Sequence, residues 1–227
     1  MTTVLWPSLP PMQVEVLSTG CGPLDEITGI GGFPRGRIVE IFGPAGGGKT
    51  TLAAQMIAAV RRAGGTAALV DLDHTLDPDV ADGADGLLVA QPSTGQEALA
   101  ITEALVRAGG VDLIVVDSVG ELVDDAGEEV TARTMSLALR TLTGLLMKSR
   151  AVVVFLNPVR PRVGVTFGNA EVTCGGNALK FYASLRVEIR RNDAGNRIRV
   201  VKNKLSPPFR DAQVALGMRG FIAPVDP

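Results

Sequence analysis

Between residues 43 and 50 the chain reads GPAGGGKT, matching the spacing G-x-x-x-x-G-K-[ST]. The pattern suits one task, holding a polyphosphate. Its glycines let successive backbone N–H groups turn inward as an anion nest, and the following helix adds the positive end of its dipole. Lys49 would neutralise phosphate oxygens, and the Thr50 hydroxyl would go to a Mg²⁺ ion. The nucleotide-binding set is Gly43, Pro44, Ala45, Gly46, Gly47, Gly48, Lys49, Thr50 and Thr51, and Lys49 also counts as catalytic through its charge. ATP and Mg²⁺ are the cofactors expected.

Asp117 ends the apolar run LIVVD. A carboxylate in that position is costly unless a cation or a hydrogen-bond donor meets it. It either holds the Mg²⁺ ion through water or caps the turn that SVGE opens. At the end of another apolar run stands FLNPVRP, residues 155–161. There the tip of a strand gives way to two prolines that lack an N–H. Arg160 and Arg162 follow in a glycine-containing stretch, suited to phosphate contact or to a solvated basic loop.

The elements that must position these residues can be read from periodicity. RIVEIF (37–42), AALVDL (67–72), LLVA (87–90), LIVVD (113–117) and AVVVFL (151–156) are apolar runs of strand length. Between them Leu52, Met56 and Ala59, then Ala98, Ile101, Leu105 and Ala108, then Met135, Leu139, Leu142 and Leu146 recur at helical spacing. Thr94 with Glu97 forms a capping box. Strands that alternate with helices, and are apolar on both faces, predict an α/β fold with a mostly parallel central sheet flanked by helices. SLRVEIR, RIRVVKNK and DAQVALG alternate more and predict antiparallel edge strands at the C-terminal end. Residues 1–13 read as a proline-rich arm and residues 14–227 as one core.

Composition excludes several classes. The 227 residues include one histidine, His74, so neither a multi-histidine metal site nor a histidine-based triad is expected. Cys21 and Cys174 have no metal or redox spacing and read as reduced thiols. A net charge of −2 and 4% aromatic residues confine any nucleic-acid contact to a local patch. No apolar segment approaches the roughly 20 residues that span a bilayer. A cytoplasmic location is expected.

STGCGPLDEITGIGGFPRGRIVEIFGPAGGGKTTL, TLDP, VDLIVVDS, FGNAEVTCGGNALKFYASLRVEIRR and VVKNKLSPPF resemble the core of the bacterial RecA family, the DNA strand-exchange ATPases. The similarity runs from about residue 14 to residue 216, and its FGN…GGNALKFYAS stretch is far more specific than any phosphate loop. The resemblance implies an ATPase core that binds single-stranded DNA through two loops. It places the second loop at Arg160 to Gly176, with Asn177 at its far end, so Thr173, Gly175, Gly176 and Asn177 join Arg160 and Arg162 as DNA-binding candidates. Arg133 is the cation nearest the first loop. Lys202 and Lys204 match lysines that reach a neighbouring subunit's γ-phosphate; by themselves they also fit an exposed strand face.

Departures from the family cluster on function. The water-activating glutamate aligns with Asp73, a carboxylate withdrawn by about 1 Å, a displacement that can slow chemistry on the order of 100-fold. The adenine-stacking tyrosine aligns with Val80. The first DNA loop, VDDAGEEV (123–130), carries four acids, Asp124, Asp125, Glu128 and Glu129. A glutamine that senses the γ-phosphate is replaced by Pro158 beside a retained Asn157, so this phosphate-sensor position is expected to be lost. The family's N-terminal docking helix gives way to MTTVLWPSLPP, in which Leu5 and Trp6 would anchor a partner or pack back on the core. These departures point to an ImuA-like paralogue. It would be an ATP-binding accessory of a recombinase or error-prone repair polymerase in the SOS response and translesion mutagenesis. Weak DNA binding, slow hydrolysis and a monomer or small oligomer are expected. The alternative is an active DNA-dependent recombinase.

Overall fold

The computed structural model describes residues 14–74, 87–123, 127, 130–161, 171–193, 195–217 and 220–222. A small antiparallel pair, β1 (Val16–Leu17) with β2 (Phe33–Pro34), brackets α1 (Gly22–Ile27). The main sheet then begins at β3 (Arg37–Gly43), which runs into α2 (Lys49–Arg62). β4 (Ala67–Asp71), β5 (Leu87–Ala90), α3 (Gly95–Ala108), β6 (Leu113–Asp117), α4 (Ala132–Leu146) and β7 (Val152–Pro161) continue the alternation. The last third holds β8 (Glu171–Thr173), α5 (Ala178–Tyr182), β9 (Leu185–Asn192), β10 (Gly195–Asn203), β11 (Asp211–Gly217) and β12 (Gly220–Ile222).

The strand order is β12-β11-β10-β9-β3-β7-β6-β4-β5, with β8 attached to β7. Pairings from β9 through β3, β7, β6, β4 and β5 are parallel, and those from β9 to β12 are antiparallel. Side chains of a strand alternate between faces, so a doubly covered sheet needs two cores. Val39, Ile41, Val152, Val154, Leu185 and Val187 pack against Leu52, Met56 and Ile57 of α2. Ile38, Val153 and Phe155 pack on the other face against Leu99 of α3, Leu139 and Leu142 of α4, and Leu179 of α5. Each such side chain contributes about 1.5–3 kcal/mol by leaving water. The helices form where expected: Thr94 Oγ1 accepts the Glu97 N–H at 3.2 Å, and the Glu97 carboxylate takes the Ser93 N–H. No described helix is long and apolar enough to cross a membrane.

Several elements differ from the sequence expectation. The strand read as 151–156 extends to Pro161, because β8 returns antiparallel to pair Val159, Arg160 and Pro161. Part of the segment read as a flexible loop after Arg160 is therefore the stem of a hairpin. SLRVEIR is not an edge strand: β9 lies between β3 and β10, and only the strands beyond it form the antiparallel margin. Local alternation signals one-sided exposure but not position in the sheet. The arm at 1–13, with Leu5 and Trp6, lies outside the described residues, as do Val80, Arg162 and the acids Asp124, Asp125, Glu128 and Glu129.

One polar cluster is locked inside the second core. Glu40 of β3, fully buried, accepts from the Asn157 amide at 2.8 Å and is ion-paired with Arg186 of β9. The Arg186 guanidinium also stacks over Phe42, 4.5 Å from the ring centroid. A buried carboxylate stripped of its cation is left uncompensated. Arg186→Met is therefore expected to lower unfolding free energy by about 3–5 kcal/mol in a urea titration. Adding Glu40→Gln to that variant should recover a substantial part; equal instability of single and double variants would refute this account.

Candidate nucleotide site and its neighbouring cleft

The phosphate loop is made by backbone geometry. Gly46 and Gly48 have φ of 69° and 96°, the left-handed region that glycine occupies without strain. Gly48 is also the N-cap of α2 and supplies no side-chain cap, so the helix opens onto the loop with its first N–H groups free of one. Gly43 is required by close approach: a Cβ there would lie 2.0 Å from the Ile189 carbonyl oxygen. Lys49 Nζ donates to the carbonyls of Gly43 and Pro44, each at 3.0 Å. Burial pushes its pKa down, while Asp117 and Asp73 pull it back up.

A cleft of about 420 Å³ opens over this loop, lined by Gly46, Gly48, Lys49, Thr50 and Thr51 on one side. Arg191, Gly195, Asn196, Ala215 and Leu216 close the other. This second wall comes from β9–β11 and was missed by sequence reasoning, because its residues read as a polar turn and an edge strand. The adjoining β12 is tied to α2 by Gln55, whose side-chain nitrogen donates to the carbonyls of Gly20 and Phe221 and whose oxygen accepts the Phe221 N–H. The Phe221 ring packs where a Gly48 side chain would begin, 2.4 Å from a Cβ built there.

Thr50 Oγ1 donates to Asp117 Oδ2 at 3.0 Å, which joins the two residues expected at the metal. Burial pushes the Asp117 carboxyl up to about 6; the Thr50 bond and Lys49 oppose this, and Asp73 and Asp71 reinforce it. Asp73 is exposed beside it, linked through the Ser118 hydroxyl at 3.3 Å. Asp71, register neighbour of Asp117, is buried and accepts from Gln91 at 3.0 Å. Among the described residues no group of three or more His, Cys, Asp or Glu could hold a metal alone. One hydroxyl and one carboxylate nonetheless fit Mg²⁺, a hard cation that takes its other ligands from phosphates and water.

Asn157 and Pro158 sit beside this loop, in parallel register with Phe42 and Gly43. Asn157 is fully buried, and its amide is engaged three times. It donates to Glu40 and to the Cys174 carbonyl at 3.1 Å, and it accepts the Cys174 N–H at 3.0 Å. Pro158 presses on the turn after Asp117: its Cγ is 2.8 Å from a Cβ built on Gly120. Arg160 donates to the Gly120 carbonyl at 3.1 Å, so two side chains of β7 are stapled to that turn.

A second cleft, also about 420 Å³, gathers Arg160, Thr173, Cys174, Gly175, Gly176, Asn177 and Lys180. It brings together five of the seven DNA-binding candidates. Gly175 and Gly176 are left-handed, at φ 72° and 67°, and the buried Thr173 hydroxyl has no partner among the described residues. Arg133 is exposed in the first turn of α4, next to Ala132, which faces Gly176. Lys202 and Lys204 lie elsewhere, at the C-terminal end of α5. There Lys202 donates to the carbonyls of Lys180 (2.5 Å) and Phe181 (3.1 Å), and Lys204 to that of Phe181 (3.1 Å). Burial, with Lys204 and Arg186 nearby, pushes the Lys202 ammonium down to about 8.

A family model described as the RecA N-terminal domain matches residues 7–221. Protein RecA of Thermus thermophilus is 50% identical over an alignment covering 96% of this chain and 71% of that protein. Protein RecA of Caldanaerobacter subterraneus subsp. tengcongensis is 51% identical, with 89% of this chain and 66% of that protein covered. The crystal structure of the RadB recombinase superposes with a TM-score of 0.74 at 21% identity, covering 92% of this chain and all of that one. That last likeness concerns the fold. Family model and sequence identity agree: this chain belongs to the RecA family.

Proposed function

We propose that this RecA-family chain binds Mg²⁺·ATP, turns it over slowly, and serves in the cytoplasm as an accessory of a recombinase or repair-polymerase complex acting on DNA. The observation that carries this reading is the junction at Asn157–Pro158. The one amide there is consumed by Glu40 and the Cys174 backbone, and the next residue offers no donor at all. A ligand shifts a conformational equilibrium only through different contacts with its two states. Between nucleotide loop and DNA cleft, this junction makes no side chain available to distinguish ATP from ADP. The exposed Asp73, short of where a glutamate carboxylate would reach, supports slow hydrolysis. Lys202 and Lys204 would reach a neighbour's phosphate only by leaving the α5 carbonyls. The second reading, an active DNA-dependent recombinase, is favoured by one observation, the 50% identity to RecA proteins.

The roles follow from the geometry. Lys49 and the loop N–H groups would bind the polyphosphate; Thr50 and Asp117 would hold Mg²⁺, which supplies charge neutralisation at the phosphates. Arg160 and the Thr173–Asn177 turn would meet a DNA backbone. Fluorescence anisotropy of a labelled single-stranded oligonucleotide tests the reading directly. Affinity with ADP and with a non-hydrolysable ATP analogue is expected to agree within about threefold, and to fall steeply with salt. Pro158→Gln should widen the gap. A large ATP preference in the unaltered protein, together with DNA-stimulated phosphate release, would establish the recombinase reading instead.

The raised Asp117 pKa carries a pH signature. Its folded value of about 6 exceeds the ordinary 3.8, so protonation favours the folded form. That stabilisation is complete below about 3.8 and is lost as pH rises through about 6. Metal binding has the opposite sense, because it requires the carboxylate. The Mg²⁺-dependent part of ADP affinity should rise about tenfold per pH unit up to about 6 and then level off. Calorimetric titration from pH 5 to 8 checks this, and Asp117→Asn should flatten the profile.

A further inference from the structure

Asn196 belongs to the wall that sequence reasoning missed, and its amide does something specific. It stands near the start of β10, is 6% exposed, and donates from Nδ2 to the Gly47 carbonyl oxygen at 2.9 Å. The contact joins residues 149 positions apart, so the bond is tertiary and not a feature of the loop itself. Backbone also crowds Gly47: a Cβ there would stand 3.0 Å from the Pro44 oxygen and 3.2 Å from that of Ile189. Gly47's own N–H turns back to the Pro44 carbonyl at 3.2 Å and is not offered to the cleft.

In a trans peptide the C=O and the following N–H point in opposite directions. The oxygen that Asn196 holds and the N–H of Gly48 belong to one peptide plane. Gly48 lines the nucleotide cleft and is the N-cap from which α2 starts. We propose that Asn196 is a positioning residue for the phosphate loop: by holding the Gly47 carbonyl against the β10 wall, it turns the Gly48 N–H the opposite way, over the loop, toward a phosphate oxygen. A reversed plane would present a carbonyl lone pair to the phosphates, and glycine on both sides leaves little else to prevent it. This rests on the nucleotide-binding reading.

The test is calorimetric titration of Mg²⁺·ADP into the full chain and its Asn196→Ala and Asn196→Asp variants, with the Gly48 amide followed by NMR. Asn196→Ala is expected to weaken ADP about 3- to 10-fold. Asn196→Asp, the same size but an acceptor facing an acceptor, should weaken it further. In both, the downfield shift that a phosphate gives the Gly48 amide proton should shrink. Variants that melt like the unaltered protein, bind ADP within twofold of it, and keep the Gly48 shift would overturn the proposal. If Asn196→Ala fails to fold, the isosteric Asn196→Asp carries the test. Failure of the unaltered protein to bind ADP would instead sink the nucleotide reading itself.

Discussion

The oxygen of Ile189 lies where any side chain on Gly43 would begin, and much of the molecule follows from that approach. It presses the end of β3 against β9, backbone to backbone, with no space for a Cβ between. β9 is thereby fixed beside β3 in parallel register, while its other edge starts the antiparallel margin. The phosphate loop leaves β3 at the same point and inherits a rigid back. A loop built mainly of glycine would otherwise sample many conformations; here its shape is imposed by neighbours rather than by its own side chains.

In the second core the buried polar groups follow the same principle, with Glu40 and Asn157 each matched to a partner on another strand. Glu40, Asn157 and Arg186 come from β3, β7 and β9, and together they pin the turn at Cys174 that begins the second cleft. Asn157 is thereby a structural clamp. Its hydrogen-bonding capacity is used where it stands.

The nucleotide loop and the parallel sheet were legible because each is a local signal. GPAGGGKT needs only its own spacing, and continuous apolar runs such as LIVVD imply a strand covered on both faces. The second wall of the cleft was not legible. Asn196 and Gly195 sit in NDAGNR, which has the composition of any exposed turn, and their importance comes from a contact made across most of the chain. β7 was cut short for a related reason. Two prolines disfavour a strand, but the returning Glu171–Thr173 segment pairs with the far end and extends it. Asp117 was found through its cost: a carboxylate ending a buried strand demanded a partner, and Thr50 is that partner. The tie of Lys202 and Lys204 to α5 escaped notice because the helix itself, five residues long, leaves almost no periodicity to read.

A cleft walled by residues 46–51 and 191–216 also constrains how the chain reaches its native state. The first wall is complete early in the sequence, yet it has nothing to face until β9, β10 and β11 have joined the sheet. Contacts of such long sequence separation form late and slowly. Nucleotide bound as proposed would therefore engage the finished structure and not its precursors, and stabilise it by mass action. In a growing or refolding chain, such occupancy of the cleft would be a readout of completion, and cellular nucleotide levels would bear on how much of the chain survives as folded protein.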